Sequence, residues 1–272
     1  MMRWVLYQES FPDSFRMGAY YAGYVPMMVL PGSTEEIKTK YGFSIFGSSK
    51  DSTLVKCFRL VNDYEPSLVQ FISSHLCQGK ILVDVGANEG YFTLLGASKG
   101  AHVYAVEPSK NNLKFLTDNI ERNNYSQRVT ILPYAAGDED KIVTFHESSL
   151  NGMWSSVGQG KTNLLSTTTQ VKMKCLQEII PNLPDIIKID VEGFEDAVLA
   201  GAKKWLKAKK TTWIIETDDT TPAGESVIRS FQDLGYRSST LAVDSACLPG
   251  KIYYPEIYTG DKVGFRNFIF EP

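Results

Sequence analysis

From Lys80 onward, short runs of aliphatic and β-branched residues alternate with segments whose apolar positions recur every three to four residues. That alternation is the signature of a parallel sheet covered by helices. The runs "KILVDV" (80–85), "AHVYAVE" (101–107), "VTILPYA" (129–135), "DIIKID" (185–190) and "TTWIIET" (211–217) predict five such strands. After Pro108, Ser109 is placed to cap a helix through "NNLKFLTDNIERN", with Leu113, Leu116 and Ile120 on one stripe. A second helical pattern follows Gly193 through "FEDAVLAGAKKWLKA" and turns Phe194, Val198 and Leu199 toward the sheet. "GYRSSTLAV" and "RNFIFEP" predict two closing strands, and with no helical pattern between them they pair antiparallel.

Two regions break the rhythm. Residues 137–184 insert two further strands, "KIVTFHE" and "TTTQVKMKCL", around the Ser, Gly and Asn-rich loop "SSLNGMWSSVGQGKTN", which suits a lid or binding loop. Ahead of the alternating core, "FSIFG" and "TLVKCFRLV" read as strands and "EPSLVQFISSHL" as a helix. The chain thus divides into an N-terminal extension of unassigned role (1–40), a stretch of strands and helix (41–79), and a core (80–272) carrying the insertion 137–184.

Composition narrows the picture without deciding it. An apolar share of 43% and a charged share of 22% suit a soluble globular chain able to bury a core. The net charge of −3 gives no broad attraction for a nucleic-acid backbone, and the one dense basic run, "KKWLKAKK", reads as the solvated face of a helix end. Four widely spaced cysteines form no C-x-x-C pair and are expected as reduced thiols. "AYYAGYVPMMVL" is too short and interrupted to span a bilayer, so a cytoplasmic protein without a membrane span is expected.

In an open parallel sheet, ligands sit at the carboxyl ends of the strands. The first strand ends in Asp84, Val85, Gly86, Ala87, Asn88, Glu89 and Gly90. A dinucleotide fingerprint would place glycines at 86, 88 and 91, where this chain has Gly86, Asn88 and Tyr91. A pyrophosphate also sits badly beside Asp84 and Glu89, whereas a cofactor carrying an ammonium and a sulfonium, such as S-adenosylmethionine, would welcome them. Glu107, 107 − 84 = 23 residues on and followed by Pro108, is spaced to accept the hydroxyl protons of an adenosine ribose. Ala135, Ala136 and Gly137 leave room for a flat adenine, and Asp138 could accept from its amino group.

The fourth strand, "IIKIDVEGFED", places Lys188, Asp190 and Glu192 on one side, and charges in a parallel strand are costly unless they pair or act. Asp190 or Glu192 is a candidate base or orienting group for a hydroxyl nucleophile, with Lys188 tuning it. Glu216 ends the fifth strand beside them, and with Asp218 or Asp219 it offers a less favoured oxygen site for Mg²⁺. His75 and His102 read as structural and His146 as a surface histidine.

With these pieces assembled, the chain resembles the FkbM family of class I S-adenosylmethionine-dependent methyltransferases. The similarity is carried by "VDVGANEGYFTL", "VYAVEPSKNNLKFLTDNIERN", "AAGD", "YEPSLVQFI" and above all "IIKIDVEGFEDAVLAGA". The resemblance implies a Rossmann-like α/β fold, a seven-stranded mostly parallel sheet with an antiparallel last strand and helices on both faces. It implies that Asp84, Gly86, Asn88 and Gly90 line the methionine end of the cofactor and that Glu107 holds the ribose. It further implies O-methylation of a hydroxyl, with a sugar or glycan as acceptor. The competing expectations are a Mg²⁺-dependent variant of that reaction, a noncatalytic adenosine-cofactor-binding domain in a glycan-synthesis protein and, more distantly, an NAD-linked sugar oxidoreductase. The sugar, the hydroxyl and the oligomeric state are left open by the sequence.

Overall fold

The computed structural model describes residues 34–48, 52, 54–55, 58–59, 63–148, 156–157, 166–191, 193–241 and 255–272. Strands β1 (Thr34–Lys38) and β2 (Ser44–Ser48) pair antiparallel, and helix α1 (Pro66–His75) follows. "TLVKCFRLV" departs from its expected strand: its described residues, 54–55 and 58–59, are helical. Ser52 Oγ accepts the Val55 N–H at 3.1 Å in the manner of an N-cap, and Leu54, Val55 and Phe58 are all buried at helical spacing.

The core then alternates as its pattern predicts, through β3 (Ile81–Val85), α2 (Tyr91–Ser98), β4 (His102–Val106), α3 (Lys110–Arg122) and β5 (Val129–Leu132). Ser109 caps α3 by accepting the Asn112 N–H at 3.2 Å. The third core strand stops at Leu132, short of the expected Ala135, because Pro133 has no N–H to continue a ladder. Ala135–Ala136 (β6) joins the insertion instead. There β7 (Lys141–Ser148), β8 (Ser156–Val157) and β9 (Ser166–Lys174) complete a small sheet in the order β6-β9-β7-β8, with β7 and β9 antiparallel. The loop expected as a lid falls largely outside the described residues, as do residues 1–33, Cys57 and Cys247.

Helix α4 (Leu176–Ile179) leads into β10 (Ile186–Ile189). The single helix predicted after Gly193 is two, α5 (Glu195–Gly201) and α6 (Lys203–Ala208). The break at Ala202 lets Val198 and Leu199 before it, and Trp205 and Leu206 after it, reach one core. Strand β11 (Thr212–Asp218), helix α7 (Pro222–Gln232) and strands β12 (Arg237–Leu241), β13 (Glu256–Ile257) and β14 (Phe265–Glu271) close the chain.

The main sheet runs β13-β12-β14-β11-β10-β3-β4-β5. Its seven long strands are the expected set, and β14 lies antiparallel to β11 and β12. The eighth, β13, is a two-residue edge piece on β12. Strand alternation divides the core into two layers. Leu82, Val103, Ile186, Ile214 and Ile269 face α1, α2 and α3, while Val83, Val106, Ile187, Trp213 and Phe268 face α4 to α7. On the first face the same alternation continues from apolar to polar: Asp84 follows Leu82, Lys188 follows Ile186, Glu216 follows Ile214, and Asn267 precedes Ile269 on the reversed strand.

Candidate active site

Strand order reverses beside β3, whose neighbours are β4 and β10, so the crevice of this fold opens where β3 and β10 end. The turn leaving β3 is left-handed at alternate residues: Gly86 (φ 78°), Asn88 (φ 51°) and Gly90 (φ 98°). A Cβ on Gly86 would lie 1.9 Å from the Asp190 carbonyl oxygen, so glycine is what lets the two strand ends meet. Asn88 takes its left-handed conformation without being glycine, which asparagine tolerates better than most residues.

That conformation aims the Asn88 N–H at Glu107 Oε2, 2.8 Å away, while the Ser109 N–H meets Oε1 at 2.8 Å. Glu107 is 4% exposed, and burial pushes its pKa up to about 7 against the pull of those two N–H groups. Asp84, 1% exposed, accepts from Thr93 Oγ1 at 2.7 Å through Oδ2. Among the described residues nothing donates to its Oδ1 or to the Oδ1 of Asn88, both buried, so both acceptors suit a donor brought by a bound ligand.

The polar row on the first face is continuous. Lys188, opposite Asp84 in register and 3% exposed, places Nζ 2.9 Å from Asp190 Oδ2 and 4.9 Å above the Phe92 ring. Burial would lower the Lys188 pKa, but the charges of Asp190, Asp84 and Glu65 outweigh it and hold the ammonium charged. Burial works against ionisation of Asp190 as well, yet Lys188 and a hydrogen bond from Glu216 keep its pKa below the usual carboxylate value. Glu216 is pushed well above its ordinary value by burial and by the charges of Asp190 and Glu65. Of the two carboxyls, Glu216 therefore holds a proton more tightly than Asp190.

The other candidate residues are placed as follows. The Gly86 and Ala87 N–H groups donate to the Val106 carbonyl at 3.0 and 3.1 Å, tying the turn to β4. Glu89 accepts from Ser52 Oγ, both groups being buried. Pro108 follows Glu107 at the strand exit, Ala136 is buried in β6, and Asp138 lies exposed in the turn before β7. Glu192 falls outside the described residues. Asp219 is engaged elsewhere, accepting from the Val263 and Gly264 N–H groups at 2.9 and 2.7 Å and from Tyr258 at 3.1 Å. Among the described residues no three His, Cys, Asp or Glu side chains converge to hold a metal ion.

Residues 84–238 match the sequence model of the FkbM methyltransferase domain, from the first strand-end aspartate to the start of β12. The chain belongs to the FkbM methyltransferase family. Its mostly parallel sheet, closed by an antiparallel last strand and covered by helices on both faces, is the Rossmann-like α/β architecture expected from the sequence. It is 25% identical over 152 residues to the hexuronic acid methyltransferase AglP of Haloferax volcanii, a match covering 53% of this chain and 59% of that protein. It is 28% identical over 123 residues to the ribosomal protein L11 methyltransferase of Helicobacter hepaticus, covering 43% and 33%. A solved FkbM methyltransferase from Methylobacillus flagellatus superposes with a TM-score of 0.47 at 15% identity, covering 93% of this chain and 59% of that one. The match therefore spans less than two thirds of each of these proteins. Among the described residues no helix is long and apolar enough to cross a membrane.

Two members of the polar row in this FkbM chain were not among the sequence-derived candidates. Asn267 Nδ2 donates to Glu65 Oε2 at 3.2 Å across 202 residues of sequence. Asn267 had a legible signal, a polar residue on the apolar face of "RNFIFEP". Glu65 had a weaker one, a glutamate just before a helix-starting proline, where Ser, Thr, Asp or Asn is preferred.

Proposed function

We propose that the chain transfers a methyl group from S-adenosylmethionine to a hydroxyl oxygen of a sugar acceptor. The observation that carries this reading is a pair of buried acceptors, Asp84 Oδ1 and Asn88 Oδ1, that find no donor among the described residues, at the left-handed turn of a class I methyltransferase fold. They fit the cationic amino-acid end of the cofactor, and Glu107, between the Asn88 and Ser109 N–H groups, fits its ribose. When bound, S-adenosylmethionine supplies a methyl group already activated on a sulfonium. The protein has then to align the acceptor and remove one proton.

Asp190 is suited to that task. Kept ionised by Lys188, it accepts a hydrogen bond from the acceptor hydroxyl and takes the proton as the oxygen gains its methyl group. A weak base suffices, because the hydroxyl becomes strongly acidic as its oxygen is alkylated. Glu216, protonated, fixes Asp190 from the neighbouring strand. A sugar acceptor is supported by the similarity to a methyltransferase named for hexuronic acid and by a polar row suited to hydroxyl groups. Incubating the chain with labelled cofactor and a glycan panel, then locating the methyl group by mass spectrometry, tests the proposal. Asp190→Asn should spare cofactor binding and lower kcat by about 10²–10⁴-fold. Failure of the wild-type chain to bind S-adenosylmethionine in calorimetry would end this reading, and activity that disappears on chelation would return the Mg²⁺-dependent variant.

A further inference from the structure

Glu65 breaks two conformational rules at once. It is a non-glycine residue in the left-handed region (φ 40°, ψ 59°), and it precedes a proline, which pushes the residue before it toward extended backbone. It is also the N-cap of α1, a position where a short polar side chain would bind the first free N–H groups, yet its own side chain makes no capping hydrogen bond. The carboxylate instead leaves the helix and accepts from Asn267 Nδ2 at 3.2 Å. Asn267 is buried and stands directly opposite Glu216 in the β11–β14 register. Both Glu65 and Asn267 lie outside the matched family segment, one before residue 84 and the other after 238.

A glycine at 65 would hold the same backbone with less strain. The backbone is held in a costly conformation that delivers a carboxylate to the polar row, the usual sign of strain retained for a site.

We propose that Glu65 is a positioning residue for the acceptor end of the site, locking Asn267 and through it the Glu216 and Asp190 pair. This rests on the hydroxyl-methylation reading above. Glu65 closes the row from α1, Asn267 from β14, Glu216 from β11, Asp190 and Lys188 from β10 and Asp84 from β3. Five charged or titratable side chains and one amide are thus arranged by five separate elements. The charge of Glu65 also bears on Glu216 and Lys188, which gives the proposal a pH signature.

The test compares the full chain with Glu65→Gly and Glu65→Gln. Glycine relieves the backbone and removes the carboxylate. Its expected result is a melting temperature within about 4 °C of wild type, relieved strain offsetting the stranded Asn267 amide, an unchanged cofactor Kd, and a kcat about 10²-fold lower. Glutamine keeps an acceptor for Asn267 and removes only the charge. Its expected result is a kcat within about threefold of wild type, with the alkaline limb of the kcat profile moved to lower pH as Glu216 loses a neighbouring negative charge. A glycine variant as active as wild type, or one melting more than about 4 °C lower, would overturn the proposal, as would a glutamine variant as slow as the glycine one. A wild-type chain that binds cofactor but methylates no hydroxyl removes the reading beneath it, an outcome distinct from an active wild type with an equally active variant.

Discussion

Replacing Lys188 by methionine keeps the unbranched stem over Phe92 and removes one buried positive charge. Two carboxylates lose their counter-ion, and they lose it unequally. Asp190 is 26% exposed and can recover water, whereas Asp84 is 1% exposed with one oxygen that finds no partner among the described residues. Breaking a buried pair from one side costs about 3–5 kcal/mol. A second limit comes from titration: a carboxyl can escape by taking a proton, at about 1.4 kcal/mol per pH unit above its unfolded pKa of about 3.9. Near pH 7.5 that escape costs about 5 kcal/mol, so the loss expected is about 3–5 kcal/mol, while near pH 5.5 it is capped at about 2 kcal/mol. In the variant the folded state binds more protons than the unfolded state across this window, so its stability rises as pH falls. The wild-type contribution from Asp190 behaves oppositely: its depressed pKa makes that contribution present above the unfolded value, and so at both pH values. Urea unfolding followed by circular dichroism at the two pH values reads the difference directly. A loss equal at both, or below about 1 kcal/mol near pH 7.5, would refute the idea that Lys188 neutralises a buried acidic row.

Glu107→Gln should weaken cofactor binding by about tenfold or more and flatten its pH dependence. With a wild-type pKa near 7, ionisation of Glu107 makes affinity rise from about pH 6 to about pH 8, so calorimetry showing the same slope in both proteins would exclude it as the ribose ligand. Gly86→Ala must displace either the turn or the end of β10, because its Cβ falls 1.9 Å from the Asp190 carbonyl at a positive φ; a loss of about 2 kcal/mol or more, with lost turnover, is expected in unfolding and rate assays. Asp219→Asn should cost about 1–3 kcal/mol by loosening the 258–264 segment while leaving cofactor Kd unchanged, and altered binding would mean that Asp219 serves the site after all.

What could be read in the sequence was whatever periodicity encodes. Five parallel strands, the Ser109 cap and the reversed last strand follow from alternation and capping chemistry that act within a few residues. Lys188 and Asp190 were also legible, since two charges spaced two apart in a buried strand must share a face. What escaped was set by tertiary contact. Pro133 ends the third strand and sends Ala135–Ala136 to another sheet, and Ser52 caps the helical residues described within "TLVKCFRLV", 54–55 and 58–59. The bond from Ser52 to Glu89, within the cofactor-like turn, joins groups 37 residues apart and has no signal in spacing. Nothing in spacing could pair Glu65 with Asn267.

These contacts also explain why residues ahead of the matched family segment belong to the site's architecture. The N–H groups of Ser44 and Phe46 on β2 donate to Asn123, the C-cap of α3, and to Asn119 within it, at 2.8 and 2.7 Å. Asn119 is fully buried and its amide donates in turn to the Glu89 carbonyl at 3.1 Å, inside the left-handed turn. One side chain therefore satisfies an edge strand and the cofactor-like turn together, and Ser52 to Glu89 doubles the link. A shift of the N-terminal strand pair would strand buried polar groups at the turn, at about 1–3 kcal/mol each. The turn that fits the cofactor is held from one side by β10, through the close approach at Gly86, and from the other by β2. The acceptor row is held in the same way by β10 and β11 beneath and by α1 and β14 at its edges. Both halves of the site take their geometry from elements more than one hundred residues apart, so its precision is a property of the sheet and its cover rather than of any one motif.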